Sequence, residues 1–126
     1  MGQVPRADRV VVLVVEDEPL LRLHAVDVIE EAGFEVVEAA NADEAIVMLS
    51  ARLDIRIVFT DIQMPGSMDG VKLAATVRDR WPPIDIVLTS GFVKLAAADI
   101  PDRGYFFSKP YNDSELIRTL RSFQGE

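Results

Sequence analysis

The stretch "VVLVVEDEPL", residues 11–20, places five apolar residues directly before two carboxylates, Glu16 and Asp17. An unbroken run of β-branched and other apolar residues is typical of a strand that is covered on both faces of a parallel sheet. The proline at position 19 suits an early position in a helix. The stretch therefore predicts a buried strand that ends in two acids and leads into a helix.

Further apolar runs predict four more strands. The first run is "VVVLVV" (10–15), and the four further runs are "FEVVEA" (34–39), "IRIVFT" (55–60), "DIVLTS" (85–90) and "GYFFS" (104–108). The second run partly alternates between apolar and polar residues, as an edge strand does. We therefore expect the first, third and fourth strands to form the centre of the sheet.

Helical spacing of apolar residues follows each predicted strand. Gly33 can end the first helix in a left-handed conformation, and in "NADE" (41–44) Asn41 can cap the second while Glu44 reaches back. The motif "NDSE" (112–115) repeats this capping pattern before the last helix. The fourth helix, "FVKLAAAD" (92–99), is expected to be short because Pro101 follows it.

Five alternations of strand and helix predict an α/β fold with right-handed crossovers. The expected architecture is a doubly wound, flavodoxin-like (βα)5 parallel sheet with strand order 2-1-3-4-5 and helices on both faces. A chain of 126 residues is too short for two ordinary domains. We expect a flexible tail over residues 1–8 and a single domain over residues 9–126.

Composition excludes several classes of function. A net charge of −8 opposes direct binding to nucleic acid, and the absence of cysteine excludes disulfides and thiolate metal sites. The longest apolar run, residues 10–15, is too short to span a bilayer, and the first nine residues lack the apolar centre of a signal peptide. We expect a cytoplasmic protein with no membrane partner.

Polar side chains gather where the predicted strands end. Ligands of open α/β sheets bind beyond the carboxyl ends of the strands, where the strand order reverses. The residues expected at that edge are Glu16, Asp17, Asp61, Thr89, Ser90 and Lys109. Three carboxylates brought together repel one another unless they share a cation, and an all-oxygen site favours Mg²⁺, with Mn²⁺ as an alternative.

Four motifs, "VVEDEP", "TDIQMPGSMDG", "LTSG" and "SKPY", occur in this order, each at the end of a predicted strand. Over roughly residues 9–123 the chain resembles the receiver domains of two-component response regulators, including the stand-alone chemotaxis type. Any one of the tetrapeptides is weak evidence. Together, in the right order, they form a specific signal.

The resemblance implies a role for each residue of the acidic cluster. Asp61 would be the phosphoacceptor, and its carboxylate would attack phosphorus to form an aspartyl phosphate. Asp17 would ligate Mg²⁺ directly, Glu16 would act through water, and the backbone carbonyl of Gln63 would be a further ligand. Lys109 would neutralise charge on the phosphoryl oxygens, together with the metal.

The resemblance also implies a conformational switch. Ser90 would be the hydroxyl that moves to the phosphoryl group, with Thr89 as the alternative one residue earlier. Phe106 matches the switch aromatic, which rotates inward when the hydroxyl moves. The output would be a population shift in the face formed by the fourth helix, the fifth strand and the fifth helix.

The chain departs from the family pattern at several points. One residue more than the commonest spacing separates Asp61 from Gly70, so we expect a reshaped loop there, with Gly70 as an ordinary helix-entry residue. Phe106 lacks the hydroxyl of the tyrosine that many members carry at this position. The resemblance also implies that Gln63 and Phe92 influence hydrolysis of the phosphoryl group.

The preferred function is a signalling switch rather than an enzyme. A histidine kinase or phosphotransfer protein would phosphorylate Asp61, and a downstream protein would read the result. Alternatives are a receiver domain from a larger regulator or hybrid kinase, and a receiver that serves only for binding. An aspartate-dependent phosphohydrolase is disfavoured because no Asp-x-Asp follows the first strand, and a nucleotide or flavin binder because no glycine-rich loop does.

Overall fold

Five parallel strands lie in the order β2-β1-β3-β4-β5, which is the order expected from the sequence analysis. The computed structural model describes residues 9–64, 66, 68–91 and 100–124. Its elements are β1 (Val11–Val15), α1 (Pro19–Glu31), β2 (Glu35–Ala39), α2 (Ala42–Ala51), β3 (Ile55–Asp61), α3 (Gly70–Arg80), β4 (Asp85–Ser90), β5 (Gly104–Ser108) and α4 (Asp113–Ser122). The fold class is confirmed.

The element bounds agree closely with the predicted ones. Strands β1 and β2 begin one residue later than expected, and β3 extends one residue further to include Asp61. The predicted fourth helix, residues 92–99, lies outside the described residues, and the last predicted helix is therefore α4. None of the helices in the described part of the chain combines the length and apolar character needed to cross a bilayer.

Strand β1 is buried along its whole length because helices cover both faces of the sheet. Leu13 and Val15 contribute to an apolar cluster shared with α2 and α3. Val12 and Val14 contribute to a second cluster with α1 and α4. The absence of alternation in this strand thus reflects two separate cores, one on each face. The edge strands β2 and β5 are only partly buried.

The predicted caps fix where the helices begin and end. The Asn41 side chain accepts a hydrogen bond from the backbone N–H of Glu44 at 2.8 Å, and the Glu44 carboxylate accepts one from the N–H of Ala40 at 2.9 Å. The Asn112 side chain caps α4 by accepting a hydrogen bond from the N–H of Glu115 at 3.2 Å, and Gly33 has a φ of 101° after α1. These local features define the starts of α2 and α4 and the end of α1.

Gly70 holds the start of α3 against the end of β3. Its N–H donates to the carbonyl oxygen of Ile62 at 2.8 Å. A Cβ atom at this position would overlap the carbonyl oxygen of Asp61 and lie 2.7 Å from the Cα of Ile62. From the sequence, Gly70 is expected to be an ordinary helix-entry residue, but the contact with the backbone of β3 leaves no room for any side chain at this position.

We predict that Gly70→Ala destabilises the protein by about 2–4 kcal/mol, because the clash is with backbone that cannot move without displacing the end of β3. Urea unfolding measures the effect. Gly91→Ala is the matched control, because a Cβ there would lie 3.8 Å from the Cβ of Lys109, an ordinary contact. Equal unfolding midpoints for the two variants would contradict the prediction.

Candidate functional site

The predicted site residues lie at one edge of the sheet because all five strands run parallel. Asp61 is the last residue of β3, and it pairs in register with Thr89 of β4. The other residues either end a strand or follow one directly, and they are Glu16, Asp17, Ser90 and Lys109. The strand order places the two acidic segments, which follow β1 and end β3, on adjacent strands.

Three carboxylates form the centre of the site. Oxygen atoms of Glu16, Asp17 and Asp61 all lie within 4.8 Å of one another, and this is the one such group in the described ranges. Glu16 and Asp61 are buried, whereas Asp17 is exposed. This donor set fits Mg²⁺, which prefers a few carboxylate ligands and keeps several waters, and the exposed Asp17 leaves the site open to solvent.

Lys109 bridges the two buried acids. Its ammonium donates to the Oδ2 atom of Asp61 at 3.2 Å and to the Oε1 atom of Glu16 at 3.3 Å. Lys109 therefore places one positive charge against two of the three carboxylates. When all four groups are ionised, the cluster carries two excess negative charges, which a divalent cation would neutralise.

The carboxyl group of Glu16 has a raised pKa, chiefly because burial disfavours its charged form and also because Asp61 lies nearby. Two contacts act in the opposite direction. The backbone N–H of Glu18 donates to its Oε2 atom at 3.1 Å, and the ammonium of Lys109 is adjacent. Glu16 is thus fixed in place at a cost in solvation that its partners offset only in part.

Sequence reasoning missed Arg22 of α1, whose side chain contacts the loop between β1 and α1. Its Nη1 atom donates to the backbone carbonyl of Glu16 at 2.8 Å, and its Nε atom pairs with Glu38 at 3.2 Å. The sequence did contain a signal for this residue. An arginine near a helix N-terminus interacts unfavourably with the helix dipole, so its presence there suggests a compensating contact.

The two candidate switch hydroxyls have different surroundings. Ser90 donates from Oγ to the side-chain Oε1 of Gln63 at 3.2 Å, whereas Thr89 lines a cavity together with Asp61 and Lys109. The backbone N–H of Gln63 also approaches the Oδ1 atom of Asp61 at 3.4 Å. Both hydroxyl groups are buried, and the assignment of the switch to Ser90 stays a prediction.

Phe106 is half-buried and packs against the apolar cluster shared with α2 and α3. It pairs in register with Leu88, and two residues further on Ser90 pairs with Ser108. Because side chains alternate along a strand, Phe106 and Ser90 lie on the same face of the sheet. The coupling between them stays a prediction. Phe92 and part of the loop with the extra residue, Pro65 and Ser67, lie outside the described residues.

Tyr111 was not singled out from the sequence, yet it packs beside the site. Its ring meets Phe59 edge to face at 5.9 Å between centroids. It lines a cavity of about 360 Å³ that extends from Glu16 and Asp61 towards His24. Burial raises the pKa of Tyr111 to about 12, with further contributions from Asp113, Glu16 and Asp61. The phenol therefore stays neutral beside the acids.

Comparison with known sequences identifies the family. Residues 12–121 match the model of the response regulator receiver domain. The chain is 31% identical over 110 residues to the nitrogen assimilation regulatory protein NtrX of Azorhizobium caulinodans, covering 84% of this chain and 24% of NtrX. It is 34% identical over 114 residues to the sensor kinase CckA of Brucella abortus, covering 87% of this chain and 12% of CckA.

A third relative is similar to this chain in length. The response regulator receiver protein CpdR of Brucella abortus is 30% identical over 112 residues, which cover 86% of this chain and 92% of CpdR. The chain thus spans about a quarter of NtrX, about an eighth of CckA and nearly all of CpdR.

Solved structures share the fold. A response regulator receiver domain from Clostridium thermocellum superposes with a TM-score of 0.84 at 20% identity, over 91% of this chain and 94% of that one. The response regulator TrrA of Thermotoga maritima, solved in complex with Mg²⁺ and BeF, superposes with a TM-score of 0.78 at 26% identity, over 90% and 97%.

The family model spans most of the chain, and CpdR aligns over nearly its whole length. The fold, the strand order and the acidic cluster at the sheet edge agree with that match. The chain belongs to the response regulator receiver domain family of two-component signalling systems.

Proposed function

We propose that this chain is a phosphorylation-dependent switch whose phosphoacceptor is Asp61. The observation that carries the proposal is the convergence of Glu16, Asp17 and Lys109 on the carboxylate of Asp61. A histidine kinase or a phosphotransfer protein would supply the phosphoryl group, and a downstream protein would bind the altered surface. The absence of cysteine suits the reducing environment of the cytoplasm.

The transfer step is a displacement at phosphorus. A carboxylate oxygen of Asp61 attacks the phosphorus of a phosphohistidine, the P–N bond breaks as the O–P bond forms, and the imidazole leaves and takes up a proton. The ammonium of Lys109, now shared between Asp61 and Glu16, is positioned to hold a phosphoryl oxygen. The protein mainly positions the reactants and stabilises charge.

A divalent cation has a defined place in this proposal. Asp17 and Asp61 would ligate Mg²⁺, or Mn²⁺ in its place, with the backbone carbonyl of Gln63 as a further ligand and Glu16 acting through water. When bound, the ion supplies positive charge to the phosphoryl oxygens. Within the described ranges, Lys109 is the cation that donates hydrogen bonds to the carboxylates of Glu16 and Asp61.

The switch requires an exchange of hydrogen bonds. A hydroxyl has one hydrogen, so Ser90 cannot donate to Gln63 and to a phosphoryl oxygen at once. Phosphorylation would draw the Ser90 hydroxyl away from Gln63, and Phe106, on the same face of the sheet, would move into the space that is freed. The face that includes β5 and α4 would then change its preferred conformation.

The alternative is that the same domain serves as one part of a longer regulator or hybrid kinase. The matches to NtrX and CckA, which cover only a small share of those proteins, support this reading. The match to CpdR supports a stand-alone receiver, which we prefer. The chemistry at Asp61 is the same in both cases.

Incubation with acetyl phosphate and Mg²⁺ should add one phosphoryl group to the wild-type protein, as measured by intact mass. Asp61→Asn should carry no adduct because the attacking carboxylate is gone, and chelation of Mg²⁺ should suppress the adduct in the wild type. Asp79→Asn, an exposed change on α3, is the control and should behave as wild type. An adduct on Asp61→Asn at the wild-type level would contradict the proposal.

Lys109→Gln should slow the appearance of this adduct by about 100-fold, because one preorganised positive charge is lost from the transferring phosphoryl group. Binding of Mg²⁺ should not weaken, since the ammonium competes with the cation for the same carboxylates. Lys72→Gln, on the exposed side of α3, is the matched control. An unchanged rate in Lys109→Gln would assign Lys109 a purely structural role.

Ser90→Ala should still accept a phosphoryl group but should lose the response of β5 to it. Hydrogen–deuterium exchange over residues 104–108, with and without Mg²⁺ and beryllium fluoride, measures that response. Thr89→Val keeps the shape of the side chain and should retain the wild-type response. The reverse pattern, with loss in Thr89→Val alone, would make Thr89 the switch.

A further inference from the structure

Arg22 links α1, the loop after β1 and the end of β2. Its Nη1 atom donates to the carbonyl oxygen of Glu16 at 2.8 Å, and its Nε atom donates to the Oε1 atom of Glu38 at 3.2 Å. Two directions of its planar fork are thus used for two different acceptors. A side chain with a single ammonium group cannot reproduce that geometry.

The position of Arg22 in α1 is unfavourable for a cation. Its backbone N–H donates to the carbonyl of Glu18, so it belongs to the first full turn of the helix. The positive end of the helix dipole lies there and repels a guanidinium. The contacts with Glu38 and with the carbonyl of Glu16 supply the compensating negative partners, which indicates that the side chain has a specific structural task.

That task concerns Glu16, whose backbone N–H, backbone carbonyl and carboxylate all form hydrogen bonds. Its backbone N–H donates to the carbonyl of Ala39 at 3.1 Å, and its carboxylate accepts from Lys109 and from the N–H of Glu18. Arg22 donates a hydrogen bond to the remaining group, the backbone carbonyl of Glu16. Because Glu38 and Ala39 are neighbours at the end of β2, Arg22 fastens the acidic loop to that strand at a second point.

We propose that Arg22 is a positioning residue for the divalent-cation site, setting the affinity for Mg²⁺ by holding the Glu16–Asp17 segment in place. The proposal rests on the metal site of the proposed function. Arg22 acts through the backbone of Glu16 and through Glu38, and it is not itself a ligand. Partners of this kind outside the ligand set commonly change metal affinity by 10-fold or more.

The sign of the effect separates positioning from simple charge. A guanidinium near a cation site repels the cation, so the loss of its charge alone would tighten the binding of Mg²⁺. Loss of the positioning contact would weaken it, because the ligands must then be ordered when the ion binds. Weaker binding in Arg22→Ala can therefore not arise from the change in charge.

Arg52 offers a matched control at the opposite end of β2. Its guanidinium pairs with Glu35, the first residue of that strand, at 3.0 Å and with Asp54 at 2.7 Å. Arg52→Ala thus removes a comparable ion pair between an arginine and β2, but far from the acidic cluster. A purely structural role would make the two alanine variants alike.

The test is a titration with Mn²⁺ in which the free ion is followed by electron paramagnetic resonance, with Mg²⁺ as competitor, on the whole chain. We expect Arg22→Ala to raise the dissociation constant for both ions by about tenfold. Arg52→Ala should change it by less than about twofold, because any effect of its distant charge is screened. Urea unfolding of both variants shows whether they lose similar stability.

Arg22→Lys is a second variant that keeps the positive charge but removes the planar guanidinium group. It should weaken Mn²⁺ binding by about threefold to tenfold, as expected when positioning is impaired at constant charge. If the wild type binds Mn²⁺ and both Arg22→Ala and Arg22→Lys bind it equally or more tightly, the positioning role of Arg22 is overturned but the metal site is not. A wild type that binds neither ion would overturn the metal site and this role together.

Discussion

The contact of one ammonium with two buried carboxylates is the interaction on which the rest of the site depends. Lys109 lies 3.2 Å from Asp61 and 3.3 Å from Glu16, and Asp17 completes the group at the solvent edge. Without Lys109 the buried acids would face each other uncompensated. With Lys109, and with all four groups ionised, the cluster has two excess negative charges. That incomplete neutralisation suits the site to a divalent cation.

The fold maintains this arrangement from both sides of the sheet. The apolar clusters that cover β1 and β3 fix the strand ends from which the acids project, and parallel pairing keeps those ends level. Gly70 lets α3 begin in contact with the backbone of Asp61 and Ile62, so even the helix entry is part of the site. Changes in the core should therefore reach the acids through the positions of the strand ends.

The sequence was sufficient for features that depend on local chemistry or strand periodicity. The apolar run of β1 predicted a doubly covered strand, and Asn41 and Asn112 predicted two helix starts. The parallel topology then placed Asp61 beside Glu16 and Asp17. The contacts of Arg22 and Tyr111 could not be predicted, because they join elements whose relative angle depends on packing rather than on local sequence. The close approach at Gly70 was missed for the same reason.

The most direct test of the account is a crystal structure of the protein with Mg²⁺ and beryllium fluoride, a phosphoryl mimic. We predict the beryllium on a carboxylate oxygen of Asp61, Mg²⁺ bound by Asp17, Lys109 on a fluoride, and the Ser90 hydroxyl turned from Gln63 to another fluoride. Beryllium fluoride bound to another carboxylate, or Mg²⁺ bound away from Asp17 and Asp61, would contradict the account.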